Sequence, residues 1–224
     1  MRLVFALVVL VGCAGATTAP QPKEPMEHHE HHEHPPMVHR FEHAEDWAKT
    51  FDDPARDKEQ RPADVVAAME MTPDMTVADI GAGTGYFEPY LSRAVSAGHV
   101  LALDVEPDMV RYLKERAARE HLANVEAAII AADDPKLPPV DRVLIVDTWH
   151  HIANRTAYAA KLRAALKPGG RVYIVDFKLD AKHGPPPHHR IPPEDCVKEL
   201  AAAGFQASVV PLTLDEQYVV VGRP

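Results

Sequence analysis

The stretch Asp79-Ile80-Gly81-Ala82-Gly83-Thr84-Gly85-Tyr86 carries the clearest chemical signal in the chain. Glycines let a backbone approach a ligand closely, and ahead of a helix they offer amide donors to it. A pyrophosphate-binding turn wants the spacing G-x-G-x-x-G. Here the spacing is G-x-G-x-G, with Tyr86 in the place of the third dinucleotide glycine. The carboxylate of Asp79, two positions before the first glycine, repels a pyrophosphate and suits a ligand with an ammonium group. Asp104, nineteen residues after Gly85, is placed to accept hydrogen bonds from ribose hydroxyls. A second chemical group is Trp149-His150-His151. A neutral imidazole can take a proton from a hydroxyl, thiol or amine near neutrality, so His150 and His151 are candidate bases. Trp149 can wall a pocket. His188, His189 and Arg190 sit in a proline-stiffened loop suited to covering an acceptor, the guanidinium favouring an anionic one. Cys196 at a helix start reads as a buried structural thiol.

Positioning these side chains takes strands that run into the loops bearing them. Short apolar, β-branched runs predict strands over 77–80, 99–105, 125–130, 142–146, 171–177, 206–212 and 217–221. Amphipathic stretches predict helices over 86–96, 108–121, 156–166 and 193–203, and another over 62–71 packs across the sheet edge. Strands separated by helices of ten or more residues make right-handed βαβ units and a mostly parallel sheet. The last two strands are too close for a crossover, so they form an antiparallel hairpin. The chain is 46% hydrophobic and 25% charged, which excludes a wholly disordered or multi-span membrane protein. A net charge of -9 without a basic stripe argues against a nucleic-acid partner.

The chain resembles the class I S-adenosylmethionine-dependent methyltransferases, from about residue 51 to the last. The carriers are the turn at 81–85 behind Asp79, Asp104, Asp147 ending the fourth strand, Leu166-Lys167-Pro168-Gly169-Gly170-Arg171 before the fifth, and the closing hairpin. That likeness implies an α/β, Rossmann-like, seven-stranded, mostly parallel sheet with a C-terminal antiparallel hairpin and helices on both faces. It implies S-adenosylmethionine as cofactor and methyl transfer as activity. It also implies that Asp79 and the turn of Gly81, Ala82, Gly83 and Gly85 hold the methionine part and Asp104 the ribose, with Tyr86 and Val105 also among the cofactor-binding residues. Met109 packs on the adenine, Asp133 or Asp134 meets its amino group, and Asp147 completes the set. A narrower likeness is to small-molecule methyltransferases of the ubiquinone-biosynthesis type. It is carried by Asp147-Thr148-Trp149-His150-His151 and Gly184-Pro185-Pro186-Pro187-His188-His189-Arg190, with Asp53-Pro54-Ala55-Arg56-Asp57 and Gln60-Arg61-Pro62 added. The asparagine-proline motif of amide and adenine N-methylating enzymes is absent after the fourth strand, and one free thiol is too few for arsenic ligation. Catechol-type enzymes hold Mg²⁺ on carboxylates at comparable strand ends, but Phe177 follows Asp176 where they supply a polar ligand, so no metal is assigned.

The first residues suggest an address. Arg2, an apolar run over 3–11 and Gly12-Cys13-Ala14-Gly15 are the parts of an export signal, too short to span a bilayer. Leu10-Val11-Gly12-Cys13 resembles the bacterial lipobox, which implies a lipid on Cys13 and a place in the cell envelope. Residues 14–41 are rich in proline and histidine and read as an extended tether; the methyltransferase domain occupies 42–224. Within the tether, Glu27-His28-His29-Glu30-His31-His32-Glu33-His34 has metal-ligating residue types. The partners are therefore a small-molecule acceptor and, through Cys13, a membrane. The alternative is a surface-tethered lipoprotein that binds S-adenosylmethionine or a metal without catalysis, because S-adenosylmethionine is made in the cytosol.

Overall fold

The computed structural model of the chain describes residues 40–224. The expected signal, lipobox and His-rich segment lie outside the described residues. Seven strands form one sheet: β1 (Thr76–Ile80), β2 (His99–Asp104), β3 (Val125–Ile129), β4 (Val140–Val146), β5 (Leu166–Phe177), β6 (Gln206–Val209) and β7 (Gln217–Arg223). Their spatial order is β3-β2-β1-β4-β5-β7-β6, with β1 to β5 parallel and β7 antiparallel to both β5 and β6. The chain leaves β1 toward β2 and β3, then returns to place β4 on the other side of β1. Such a reversal opens a crevice beyond the carboxyl ends of the two central strands.

The helices are α1 (Ala44–Phe51), α2 (Arg56–Gln60), α3 (Pro62–Ala68), α4 (Glu88–Ala94), α5 (Pro107–Arg119), α6 (Arg155–Ala165) and α7 (Pro193–Ala202). Strand alternation splits the core in two. Val77, Val100, Leu144, Tyr173 and Val219 face α3 and α4, and Ala102 and Ala127 on the same side meet Val110 and Leu113 of α5. Ala78, Ile80, Val143, Ile145, Ile174 and Val220 face α6 and α7, where Leu162 and Leu200 are fully buried.

Three expectations shift. Helix α3 lies on the sheet face, not across its edge: Val65, Val66 and Met69 join the core around Leu144 and Tyr173. Its exit is held by Arg142, whose Nε donates to the Met69 carbonyl at 2.8 Å and Nη2 to that of Glu70 at 3.1 Å. Helix α4 starts at Glu88, because Gly85 at φ 85° keeps the chain in a turn. Strand β6 ends at Val209, two residues before Pro211 removes a ladder donor.

Candidate functional site

A cavity of about 740 Å³ opens in the crevice beyond β1, β2 and β4. Its floor is the glycine turn. Gly81, Gly83 and Gly85 all have positive φ, and a Cβ on Gly81 would lie 2.2 Å from Thr148 Oγ1. Only glycine fits there, and that lets the turn after β1 nest against the turn after β4. The amides, however, face inward. Those of Gly81 and Ala82 donate to the Leu103 carbonyl at 2.8 and 3.1 Å, Gly83 N to Asp104 Oδ2 at 2.9 Å, and Gly85 N to the Ala82 carbonyl at 2.9 Å. These four therefore lend close approach rather than donors.

Asp79 lines the cavity at 2% exposure, with Oδ1 buried and unpartnered. Burial pushes its carboxyl up to about 7, a hydrogen bond with Glu88 opposing and the charge of Asp104 adding to the rise. Asp104 is also buried. Its Oδ1 accepts from Glu106 N and its Oδ2 from Gly83 N, both at 2.9 Å. Burial raises its pKa despite those amides. Each oxygen keeps a second acceptor site for a ligand. Beyond Asp104, the side chains of Val105, Met109, Ile130 and Ala132 line an apolar end, at whose rim lies Asp133. Val105 is 46% exposed, a large apolar surface left open in a concave place. Asp134 and Gly85 do not line the cavity: Asp134 pairs with Lys161 at 3.4 Å, and a Cβ on Gly85 would sit 2.8 Å from Leu113 beneath the turn.

The turn after β4 sorts its residues by direction. Asp147 lines the cavity with φ 50°, a left-handed conformation that is costly outside glycine and that clusters at functional sites. Gln60 donates to its Oδ2 at 2.7 Å, Gln217 donates to its Oδ1, and Arg56 stands 3.7 Å away. Desolvation, then the charge of Asp176, pushes Asp147 up to about 7. Trp149 points inward, fully buried, its Nε1 donating to Glu199 Oε2 at 2.8 Å. His150 is likewise buried, with Nδ1 2.8 Å from Asp176 Oδ1 and its amide donating to Asp176 Oδ2 at 3.2 Å. His151 alone of the pair lines the cavity; its ring lies tilted against His150 at 4.3 Å and meets Phe41 edge-on at 5.9 Å. The base candidates thus separate into a cavity-facing His151 and an interior His150.

The loop after β5 stays outside the cavity. His188 is exposed and His189 half-buried, and their rings meet at a 46° tilt with centroids 4.2 Å apart. Arg190 is buried and donates to the carbonyls of Pro185, Leu179, Ala181 and His183, at 2.6–3.1 Å. Its guanidinium ties its own loop together and is not presented to an acceptor.

Sequence reasoning missed the roof. Arg40, Phe41, Phe51 and Arg56 line the cavity, so the last two residues of the expected tether take part in the site. Thr84 Oγ1 and Arg116 Nη1 both donate to Asp52 Oδ1 at 2.8 Å, and Ala44 N donates to Asp108 Oδ2 at 2.7 Å. These bonds pin the segment to the turn and to α5. Arg56 stacks 4.6 Å over Tyr86, which lines the cavity and donates to Asp57. The aromatic spacing of Phe41, Trp47 and Phe51 was the available signal.

The methyltransferase-domain family matches residues 78–172, the span from β1 into β5. The crystal structure of a SAM-dependent methyltransferase from Aquifex aeolicus superposes with a TM-score of 0.74 at 30% identity, covering 79% of this chain and 96% of that one. The chain belongs to the SAM-dependent methyltransferases. The ubiquinone/menaquinone biosynthesis C-methyltransferase UbiE of Acidiphilium cryptum is 32% identical over 117 residues, 50% of this chain and 46% of that protein. The release factor glutamine methyltransferase of Deinococcus radiodurans is 29% identical over 172 residues, 66% of this chain and 58% of that protein. The chain spans about half the length of the curated relatives it matches. The methyltransferase cofactor fits the residues present. An orphaned buried carboxylate oxygen on Asp79 suits its ammonium, Asp104 suits its ribose hydroxyls, and the apolar end suits its adenine.

Proposed function

We propose that the domain transfers a methyl group from S-adenosylmethionine to a small-molecule nucleophile, with His151 as the proton acceptor. The observation that carries the reading is His151 standing in the wall of the same cavity as Asp79 and Asp104. In this reading Asp79 and Tyr86 hold the methionine end, Asp104 and Val105 the ribose, and Met109 and Asp133 the adenine. The bound cofactor supplies a sulfonium-activated methyl group, so the protein's own task is to orient the acceptor and take its proton. Orientation is the larger part, since a held nucleophile reacts without the entropy loss of a bimolecular encounter. Phe41, Phe51 and Arg56 cover the cavity and limit water there. His150 and Asp176 sit behind His151 as its support.

A small acceptor is favoured by this roof, and by Thr148-Trp149-His150 standing where amide-methylating enzymes carry asparagine-proline. The UbiE relatives are named as ubiquinone/menaquinone biosynthesis C-methyltransferases, which agrees with a small acceptor. Residues 1–13 are read as a lipoprotein signal and those from 14 up to the cavity-lining Arg40 and Phe41 as a tether, the composition of residues 3–15 supporting a lipid on Cys13 and a place in the cell envelope. Incubating the full chain with methyl-labelled S-adenosylmethionine and a cell extract tests the function. Label should appear in a low-molecular-weight product, whereas label found only in protein or nucleic acid overturns the small-acceptor reading.

A further inference from the structure

Two carboxyls lie buried behind the glycine turn, and among the described residues no cation is bonded to either. Asp79 at the end of β1 and Glu88 at the start of α4 are each 2% exposed. Asp79 Oδ1 and both oxygens of Glu88 meet no donor. The two carboxyls are within hydrogen-bonding reach of each other, and such a bond needs a proton on one of them. A Cβ on Gly85 would stand 3.2 Å from Glu88 Oε2, so the Glu88 carboxyl sits directly under the turn.

The charges around the pair make matters worse for a second negative charge. Asp104 on β2 faces Asp79 and raises its pKa. The cation acting on Glu88 is Arg116 of α5, but its Nη1 donates to Asp52 Oδ1 at 2.8 Å and to the Thr84 carbonyl at 3.0 Å, and its Nε to Glu120 at 2.9 Å. Burial pushes Glu88 well above the usual carboxylate range, with the Asp79 charge next, while Asp79 titrates at about 7. Burial raises both carboxyls, so the pair holds a proton between them near neutrality. Two carboxyls in a core are expensive unless something charged comes to them.

We infer that Glu88 is a positioning residue for the ammonium end of the cofactor: its carboxyl O–H, keeping its proton, donates a hydrogen bond to Asp79 and so keeps the Asp79 carboxylate charged and aimed at the cavity. The inference rests on the proposed S-adenosylmethionine site. Where Asp79 is itself protonated before binding, the arriving ammonium displaces that proton, which leaves to solvent as the Asp79 carboxylate forms. Binding is then linked to release of up to one proton at and below about pH 7. Affinity falls as pH drops through that value.

The test is calorimetric titration of the full chain with S-adenosylhomocysteine, which carries the same ammonium, in buffers of different ionisation enthalpy. Wild type should release roughly half a proton or more at about pH 6.5 and almost none at about pH 8.5. Glu88→Gln keeps a neutral donor and should bind within about threefold of wild type with the same pH profile. Glu88→Leu removes the buried carboxyl and its proton while keeping a side chain of similar volume under the turn. It should lose about tenfold in affinity near pH 7 and shift the proton-release midpoint upward by about one unit, because Asp79 loses the bond that lowers its pKa. A purely structural Glu88 would change thermal stability and leave that midpoint unmoved. Identical midpoints in wild type and Glu88→Leu, or no proton release at any pH, overturn the inference. Absence of any binding to wild type would instead sink the cofactor reading on which it stands.

Discussion

Replacing each of the adjacent histidines in turn should separate a chemical role from a supporting one. His151 lines the cavity, whereas the His150 side chain is 2% exposed and bonded to Asp176 at 2.8 Å. If His151 takes the acceptor's proton, His151→Ala removes a general base, worth ~10²–10⁴ in turnover, or about 2.7–5.5 kcal/mol of barrier. Affinity for S-adenosylmethionine should change little, because Asp79 and Asp104 do not depend on it. The loss should shrink at high pH for an acceptor that ionises by itself. His150→Ala acts elsewhere. It leaves the buried Asp176 carboxylate with only the His150 and Phe177 amides as donors. Losing a hydrogen bond to a charged group costs ~1.5–3 kcal/mol. At ~2–4 °C per kcal/mol for a chain of this size, Tm should fall by roughly 3–12 °C. Turnover at a temperature where the variant stays folded should drop less than about tenfold. Single-turnover kinetics with thermal unfolding on both variants decides it. Wild-type turnover in His151→Ala, or a hundredfold loss in His150→Ala at unchanged Tm, refutes the assignment.

Asp104→Ala should weaken S-adenosylmethionine binding by ~1.5–3 kcal/mol, read by calorimetry, since it removes charged acceptors from the cavity wall. Gly81→Ala should destabilise the fold, because its Cβ meets Thr148 Oγ1 at 2.2 Å at φ 76°, and adding Thr148→Gly should recover part of the loss in a thermal melt. Arg190→Ala should lower Tm by breaking four carbonyl contacts while KM for the acceptor holds, as the guanidinium lies outside the cavity. Stability should fall as pH rises from about 5 to about 7: Asp79 and Asp147 have folded pKa values raised to about 7, so in that window the native chain holds protons the unfolded chain has lost. Asp147→Asn should flatten part of that slope in denaturant titrations. The proposed anchor predicts that Cys13→Ala releases the protein from the membrane fraction.

The parallel part of the fold was legible because β1 to β5 carry apolar runs, helices α4, α5 and α6 separate all neighbours in sequence but β3 and β4, and both faces of the sheet are buried. The floor of the cavity was legible for a related reason. Gly81, Gly83, Asp79 and Asp104 lie at strand ends, where position in sequence fixes position in space. The wall after β4 was not. Whether His150 or His151 faces the cavity depends on a single turn of 3-10 helix (Trp149–His151), whose direction is set by Asp176 and Glu199 from other elements. Arg190 looked like an anion ligand because the carbonyls its loop turns toward it cannot be read from residue types. Glu88 was hidden for the same kind of reason. An acid in the first turn of a helix is ordinary in sequence, and only burial beneath Gly85 makes it unusual.

The account stands on the cavity beyond β1 and β4 being a site for S-adenosylmethionine. Equilibrium titration of the full chain with S-adenosylmethionine, and separately with NAD, tests this most directly. One molecule of S-adenosylmethionine should bind per chain, with affinity reduced about tenfold or more in Asp104→Ala, while NAD gives no heat. Binding of NAD without S-adenosylmethionine, or S-adenosylmethionine binding untouched by Asp104→Ala, would contradict it.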